Sequence, residues 1–297
     1  MKKKICVIGG ANIDISAHTL LNYKEADSNP AEVSICYGGV ARNVAHNLCL
    51  LGHDVSFISV FADDVYGRAL KADCETLGMD LQMSLEPTAS RSNYFLCINN
   101  EQGEMMAGAA DMQLMQYLTP AFIEQHITAI NQFNAVVADC NLDVAVLQLL
   151  AAECQVPLFI DATSSAKAEK LLSLLPWRNN IPLTIKVNRA EAEQLSSQHH
   201  KEQMADWFTL QGVENTYITL GKDGACCKCK ERFAVIPSYP VNVVNATGAG
   251  DAFMAGVIHG QVNETDLATT LSYGVRMSQM TLIAEEPVNN QIKNIQL

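Results

Sequence analysis

The chain has no surplus of positive charge, no apolar run long enough to cross a bilayer, no cysteine framework and no low-complexity linker. Each absence removes a class of function. With 20 basic residues against 32 acidic ones the formal net charge is -12, so a nucleic-acid backbone or an anionic membrane is repelled on average. An anionic ligand must then be held locally, by backbone amides, a few cations or a metal. The basic start "MKKKICVIGG" passes at once into a short strand-like run ending in glycines. The 10 cysteines are scattered, which in a chain without a signal peptide reads as reduced, mostly buried thiols and a cytoplasmic protein. No repeat of solenoid period and no GxGxxG fingerprint is present.

What is there points to an α/β fold. At 297 residues and 48% hydrophobic content the chain can bury a substantial core, and it reads as a single domain over residues 1–297. Short runs rich in valine and isoleucine, at 4–8, 55–60, 135–138, 157–160, 183–187 and 217–220, alternate with segments of helical period at 41–51, 66–77, 120–132, 143–153, 189–195 and 264–283. That alternation is the signature of a mostly parallel sheet covered by helices. Extended-looking chain within 15–37 and 92–107 interrupts it, with "INNEQGEMM" supplying a polar turn between two strands. The two interruptions are expected to meet as a small β lid over one end of the main sheet.

Five stretches carry candidate chemistry. In "VIGGANIDI" a strand ends in Gly9 and Gly10, and Asn12 and Asp14 follow. Ligands of open parallel sheets bind beyond the carboxyl ends of strands, so these side chains face a crevice or sit on a solvated loop. In "YGGVARNVAHNLCLLG", Gly38 and Gly39 enter a helix whose apolar face is Val40, Val44, Leu48 and Leu51, with Asn43 in the first turn. In "IKVNRAEAEQL", Asn188 and Glu191 share one face of a helix start, an arrangement that suits a hydrated magnesium ion, although a capping box is the more common use of this spacing. In "TYITLGKDGA", Gly221 and Gly224 make a turn that is either a hairpin or a close approach to a nucleotide, and the spacing is not that of a Walker A loop. The "CCKC" run after it alternates like a strand rather than like a zinc site. In "VVNATGAGDAFMAGVIHG", Gly248 and Gly250 leave backbone amides unshielded at a helix start, an anion site. Asp251 is there either a cap or a base.

Together "GGANID", "GGVARNVAHNL", "KVNRAEAE", "TLGKDG" and "NATGAGD", in this order across nearly the whole chain, resemble the PfkB, or ribokinase-like, family of carbohydrate kinases. Within it, the Val-Ala-Arg insert of "GGVARN", the run "NRAEAE" and the asparagine of "VVNATGAGD" are most similar to kinases of pseudouridine. The resemblance implies a ribokinase-like three-layer sandwich with a mostly parallel central sheet and a β lid that closes over the sugar. It also implies phosphoryl transfer from ATP, with Mg2+, to the ribose 5-hydroxyl of a nucleoside. Carried onto matching positions, Asn12, Asp14, Gly38, Gly39, Asn43 and Asn141 would face the acceptor. Asp251 would be the base, beside the amides of the turn Gly248, Ala249 and Gly250. Asn188 and Glu191 would organise magnesium and its waters, and Thr219, Gly221 and Gly224 would lie along the nucleotide. On the expected lid strand, Tyr94 and Phe95 either flank a nucleobase or simply pack; the helix around 272–282 is a candidate wall of the adenine pocket, and the lid is a candidate surface for pairing two copies of the chain. Many relatives carry aspartate where this chain has Asn245, a carboxylate that helps bind a monovalent cation, so K+ dependence stays open. A kinase of a free sugar or another nucleoside would keep every one of these motifs. A non-catalytic sensor would lose Asp251 or its flanking glycines, which this chain retains.

Overall fold

The computed structural model describes residues 2–295. Its strands are β1 (Lys4–Ile8), β2 (Asn12–Thr19), β3 (Ala31–Gly38), β4 (Asp54–Ile58), β5 (Tyr94–Asn99), β6 (Met105–Asp111), β7 (Ala135–Asp139), β8 (Leu158–Asp161), β9 (Leu183–Asn188), β10 (Asn215–Thr219), β11 (Ala225–Cys229) and β12 (Arg232–Ile236). Its helices are α1 (Val40–Leu50), α2 (Val65–Thr76), α3 (Pro120–Ile130), α4 (Val144–Glu153), α5 (Ser165–Ala168), α6 (Arg189–Ser196), α7 (Lys201–Leu210), α8 (Ala249–Val262) and α9 (Leu267–Leu282).

An eight-stranded sheet runs in the order β12-β11-β10-β9-β8-β7-β1-β4. The strands from β4 to β10 pair in parallel, and β11 and β12 add an antiparallel hairpin at one edge. Successive side chains of a strand point to opposite faces, and a parallel sheet is covered on both, which is why these strands read as continuous apolar runs. On β1, Ile5 and Val7 pack with Val44 and Leu48 of α1, Leu70 of α2 and Ile258 of α8. Cys6 and Ile8 pack with Ile123 of α3, Leu147 of α4, Leu195 of α6 and Phe208 of α7. The result is a three-layer sandwich. The thiols of "CCKC" divide between its faces, Cys226 in one core cluster and Cys227 in another.

A second, four-stranded sheet has the order β3-β2-β5-β6. It starts at Asn12 and ends at Asp111, wider than the expected 15–37 and 92–107, because the chain leaves β1 through only Gly9, Gly10 and Ala11 before it extends again. Asn12 and Asp14 therefore lie on a paired strand and not on a solvated loop; Asp14 is opposite Cys36 and Phe95. The register corrects one expectation. Neighbouring residues on a strand face opposite ways, so Tyr94 and Phe95 cannot both flank one nucleobase. Phe95 shares the face of Asp14, whereas Tyr94 lies edge-on to Tyr66 with ring centroids 6.1 Å apart.

Candidate active site

The polar residues that end the central strands converge along one edge of the sheet. Gly9 and Gly10 follow β1, Asp139 ends β7, Asp161 ends β8, and Lys186 and Asn188 close β9. This is the carboxyl edge, where open parallel sheets bind ligands.

Gly248 caps α8 with φ 80°, a region that favours glycine, and a Cβ there would press on the backbone of Pro287, whose Cα would be 3.0 Å away. The cap makes no side-chain hydrogen bond. Asp251 sits in the first turn but does not bond back to the helix. Its Oδ2 accepts from Asn43 Nδ2 at 2.9 Å. The capping alternative is therefore not realised, and the positive end of α8 is left to another anion. Burial pushes the Asp251 carboxyl up to about 7, and the charge of Asp161 adds to it, while Lys186 and the Asn43 hydrogen bond pull the other way. A carboxylate poised near neutrality is suited to taking a proton.

Two residues that the motifs did not single out set this geometry. Arg42 is buried, donates to Asn43 Oδ1 at 3.2 Å and pairs with Asp73 at 2.6 Å. It thereby fixes the Asn43 amide so that its nitrogen faces Asp251. Lys186 is buried beside the glycine turn: a Cβ on Gly250 would lie 2.8 Å from its Nζ, which pairs with Asp161 at 3.1 Å. Burial alone would lower this ammonium, but Asp161, Glu191 and Asp251 overcome that and hold it above its ordinary value. A charged residue inside the apolar strand "LTIKVN" was the available signal, since a buried lysine needs a partner.

On the opposite side of the crevice, Asn12 donates to Asp14, and Gly38 packs so closely on the Asp14 carboxylate that any Cβ would collide with it. Burial pushes the Asp14 carboxyl up to about 6, against the Asn12 hydrogen bond and the charge of Arg42. Gly39, with φ 103°, packs on the backbone of Gly10 and Ala11. Asp139 ties these pieces together. Its buried Oδ2 accepts from Gly10 N and Ala41 N at 3.0 Å and from Asn141 Nδ2 at 2.9 Å, and its Oδ1 accepts from Asn141 N at 2.9 Å.

Next to the glycine turn lies a cavity of about 550 Å³. Thr219, Gly221 and Gly224 line it together with Ala249 and Gly250, so both of the expected nucleotide motifs face one space. The turn of "TLGKDG" is also the hairpin between β10 and β11, so the two readings of that stretch coexist. Val275, Ser278, Gln279 and Leu282 of α9 form the far wall, inside the expected 272–282 stretch. Asn188 and Glu191 do not line it. They make a complete capping box: Asn188 Oδ1 accepts from Glu191 N at 2.9 Å, and the Glu191 carboxylate accepts from both nitrogens of Asn188 at 2.7 Å. Burial raises the Glu191 carboxyl, against the charge of Lys186 and the Asn188 backbone hydrogen bond. Among the described residues no group of three ligand-type side chains is placed to hold a metal directly. A carboxylate with two of about four acceptor sites taken still fits a cation that keeps its water shell.

A parallel α/β sandwich in which a helix starts at a glycine turn, between a buried carboxylate and a cavity, has the layout of a small-molecule kinase. The chain belongs to the pfkB family of carbohydrate kinases, whose family model matches residues 2–292. It is accordingly a phosphotransferase acting on a sugar or nucleoside hydroxyl. It is 32% identical to the pseudouridine kinase of Escherichia coli (strain K12) over 96% of this chain and 92% of that protein. It is 25% identical to the guanosine-inosine kinase of Exiguobacterium acetylicum, over 95% of this chain and 95% of that protein. The fold matches that of the Arabidopsis thaliana ribokinase solved with ribose and ATP, with a TM-score of 0.82 at 16% identity, covering 99% of this chain and 98% of that one. No helix among the described residues is long and apolar enough to cross a membrane.

Proposed function

We propose that the protein phosphorylates the ribose 5-hydroxyl of a nucleoside, pseudouridine, with ATP as donor. The observation that carries the chemistry is Asp251, buried at the start of α8 and bonded to Asn43 instead of to its own helix. The acceptor is supported by the 32% identity to a pseudouridine kinase. A free sugar or another nucleoside is the second reading, because kinases with those names are also similar to this chain.

In this account the acceptor ribose lies between the Asn12, Asp14, Gly38, Gly39 and Asn43 side and the Asp251 side, and the triphosphate reaches the turn of Gly248, Ala249 and Gly250 from the cavity of Thr219, Gly221 and Gly224. Asp251 takes the proton of the attacking hydroxyl. The first-turn amides of α8 and the Lys186 ammonium face the charge on the transferred group, so positioning and preorganised electrostatics supply most of the rate. Magnesium, when bound, neutralises charge on the phosphates; Asn188 and Glu191 would hold it through water.

The β3-β2-β5-β6 sheet acts as a lid that excludes water, which otherwise competes with the sugar for the phosphoryl group. Its outer face exposes Val33 at 65%, Ile35 at 53% and Leu96 at 43%. Ile35 and Leu96 flank Ile15 in register, a continuous apolar patch that a second copy of the chain would cover. Ten free thiols accord with a cytoplasmic location.

The test is ATP consumption by the purified protein with magnesium, offering pseudouridine, uridine, other nucleosides, ribose and fructose in parallel. Strong preference for pseudouridine is expected. Turnover with another acceptor alone replaces the substrate and keeps Asp251 in its role, and no turnover with any acceptor overturns the kinase reading of this chain.

A further inference from the structure

We propose that Lys167, held by Asn141, reads a hydrogen-bond acceptor oxygen at the non-reacting end of the acceptor substrate, and that this oxygen is a carbonyl of the nucleobase. The inference rests on the nucleoside reading above and adds to it the group that tells a nucleoside from a bare pentose.

The placement follows from contacts already described. Asp139 gathers Gly10, the Ala41 amide in the first turn of α1 and Asn141 around one carboxylate, so Asn141 belongs to the acceptor side of the crevice. Gly10 touches it: a Cβ there would lie 2.7 Å from Asn141 Nδ2. From α5, Lys167 donates through Nζ to Asn141 Oδ1 at 2.5 Å. Both side chains are half-buried, open on one side.

The valences say what that open side wants. An ammonium has three donors and no acceptor, and only one of the Lys167 donors is used. Asn141 spends its oxygen on Lys167 and one amide hydrogen on Asp139, leaving a second hydrogen. The pair therefore presents three spare donors, two on Lys167 and one on Asn141, against a single remaining lone pair on Asn141 Oδ1.

Its charge is also unspent. Lys167 makes no ion pair among the described residues, in a chain of net charge -12. Burial pulls its ammonium below the ordinary value; the charge of Asp139 opposes this, and Lys170 adds to the pull. Lys170, one helical turn on, shows what a purely structural lysine does here, since its Nζ is used up on the carbonyls of Cys140 and Leu142 at 2.9 and 2.7 Å. Lys167 has no such second partner among the described residues. A positively charged pair with donors in excess selects a carbonyl or an anionic oxygen and gains nothing from the aliphatic end of a free pentose. A base dione and a sugar phosphate both carry such oxygens, and the test separates them.

The experiment compares wild type with Lys167→Met and Lys167→Arg, using pseudouridine, ribose and a phosphorylated hexose as acceptors and reading kcat and KM separately. Loss of a charge-assisted hydrogen bond predicts that Lys167→Met lowers kcat/KM for pseudouridine roughly ten- to hundredfold, mainly through KM, and leaves ribose within about twofold. Lys167→Arg should recover part of the loss. An equal loss on ribose, or no loss on the nucleoside, overturns the proposal while the nucleoside reading stands. A wild type that uses the phosphorylated hexose and loses it in Lys167→Met replaces the carbonyl with a phosphate. A wild type that phosphorylates only bare sugars overturns both readings together.

Discussion

Replacing Lys186 by methionine removes a buried cation that faces Asp161, Glu191 and Asp251. In the wild type that cation holds the Asp251 carboxyl down, against burial and against the charge of Asp161, at about 7. Activity that needs the carboxylate form should rise with pH through that value. An opposite charge at short range depresses a carboxylate by on the order of one to three units, so Lys186→Met should move the limb up by about one unit or more. At pH 7 a one-unit move reduces the ionised fraction from about a half to about a tenth, a fivefold loss from protonation alone. Removal of the ammonium beside Gly250 should add a loss in transition-state stabilisation that high pH does not restore. Leaving buried carboxylates uncompensated should also cost stability, on the order of 3 kcal/mol. The assay is the pH profile of kcat/KM with ATP and pseudouridine for both proteins, with thermal unfolding alongside. A folded Lys186→Met protein whose profile keeps the wild-type limb and height would refute the electrostatic reasoning.

Two further outcomes follow from the same geometry. Asn43→Ala removes the hydrogen bond that lowers the Asp251 carboxyl, so its limb should also move to higher pH, and the acceptor KM should rise because Asn43 is on the acceptor side; an unchanged limb would separate Asn43 from Asp251. Asn245 is a neutral amide that donates through Nδ2 to the Glu285 carbonyl at 2.8 Å, so this position brings no negative charge to a monovalent cation. Activity should vary by less than about twofold between potassium and choline salts at equal ionic strength, and a strong potassium requirement would contradict this.

Much of the site was legible because its backbone is unusual. Gly248 and Gly39 stand at positive φ where a Cβ would meet neighbouring backbone, and such positions leave a glycine signature in a single sequence. The alternation of strands and helices was equally plain, since a parallel sheet buried on both faces must be written in apolar runs. Asp139 and Asp161 left no comparable trace, Arg42 entered only as part of the Val-Ala-Arg insert, and Lys186 only as a charge inside an apolar strand. The meaning of each comes from groups that the fold brings to it: Asp139 reaches Gly10 and Ala41, Lys186 reaches Asp161 and the turn before Asp251, and Arg42 reaches Asp73. The pair Asn188 and Glu191 shows the opposite limit. Capping box and water-mediated cation site share one spacing, and only the coordinates show that the box is closed. Helix α7 was missed as well, because "KEQMADWFTL" buries Met204, Ala205 and Phe208 behind a mostly polar surface.

The central claim is that Asp251 is the base that activates the acceptor hydroxyl. Its most direct test is the single-turnover rate of pseudouridine 5'-phosphate formation from ATP by wild type and Asp251→Asn, with circular dichroism to confirm that both are folded. Loss of a general base predicts a fall of about 10²- to 10⁴-fold with little change in ATP binding. A folded Asp251→Asn protein that transfers the phosphoryl group at the wild-type rate would contradict the account.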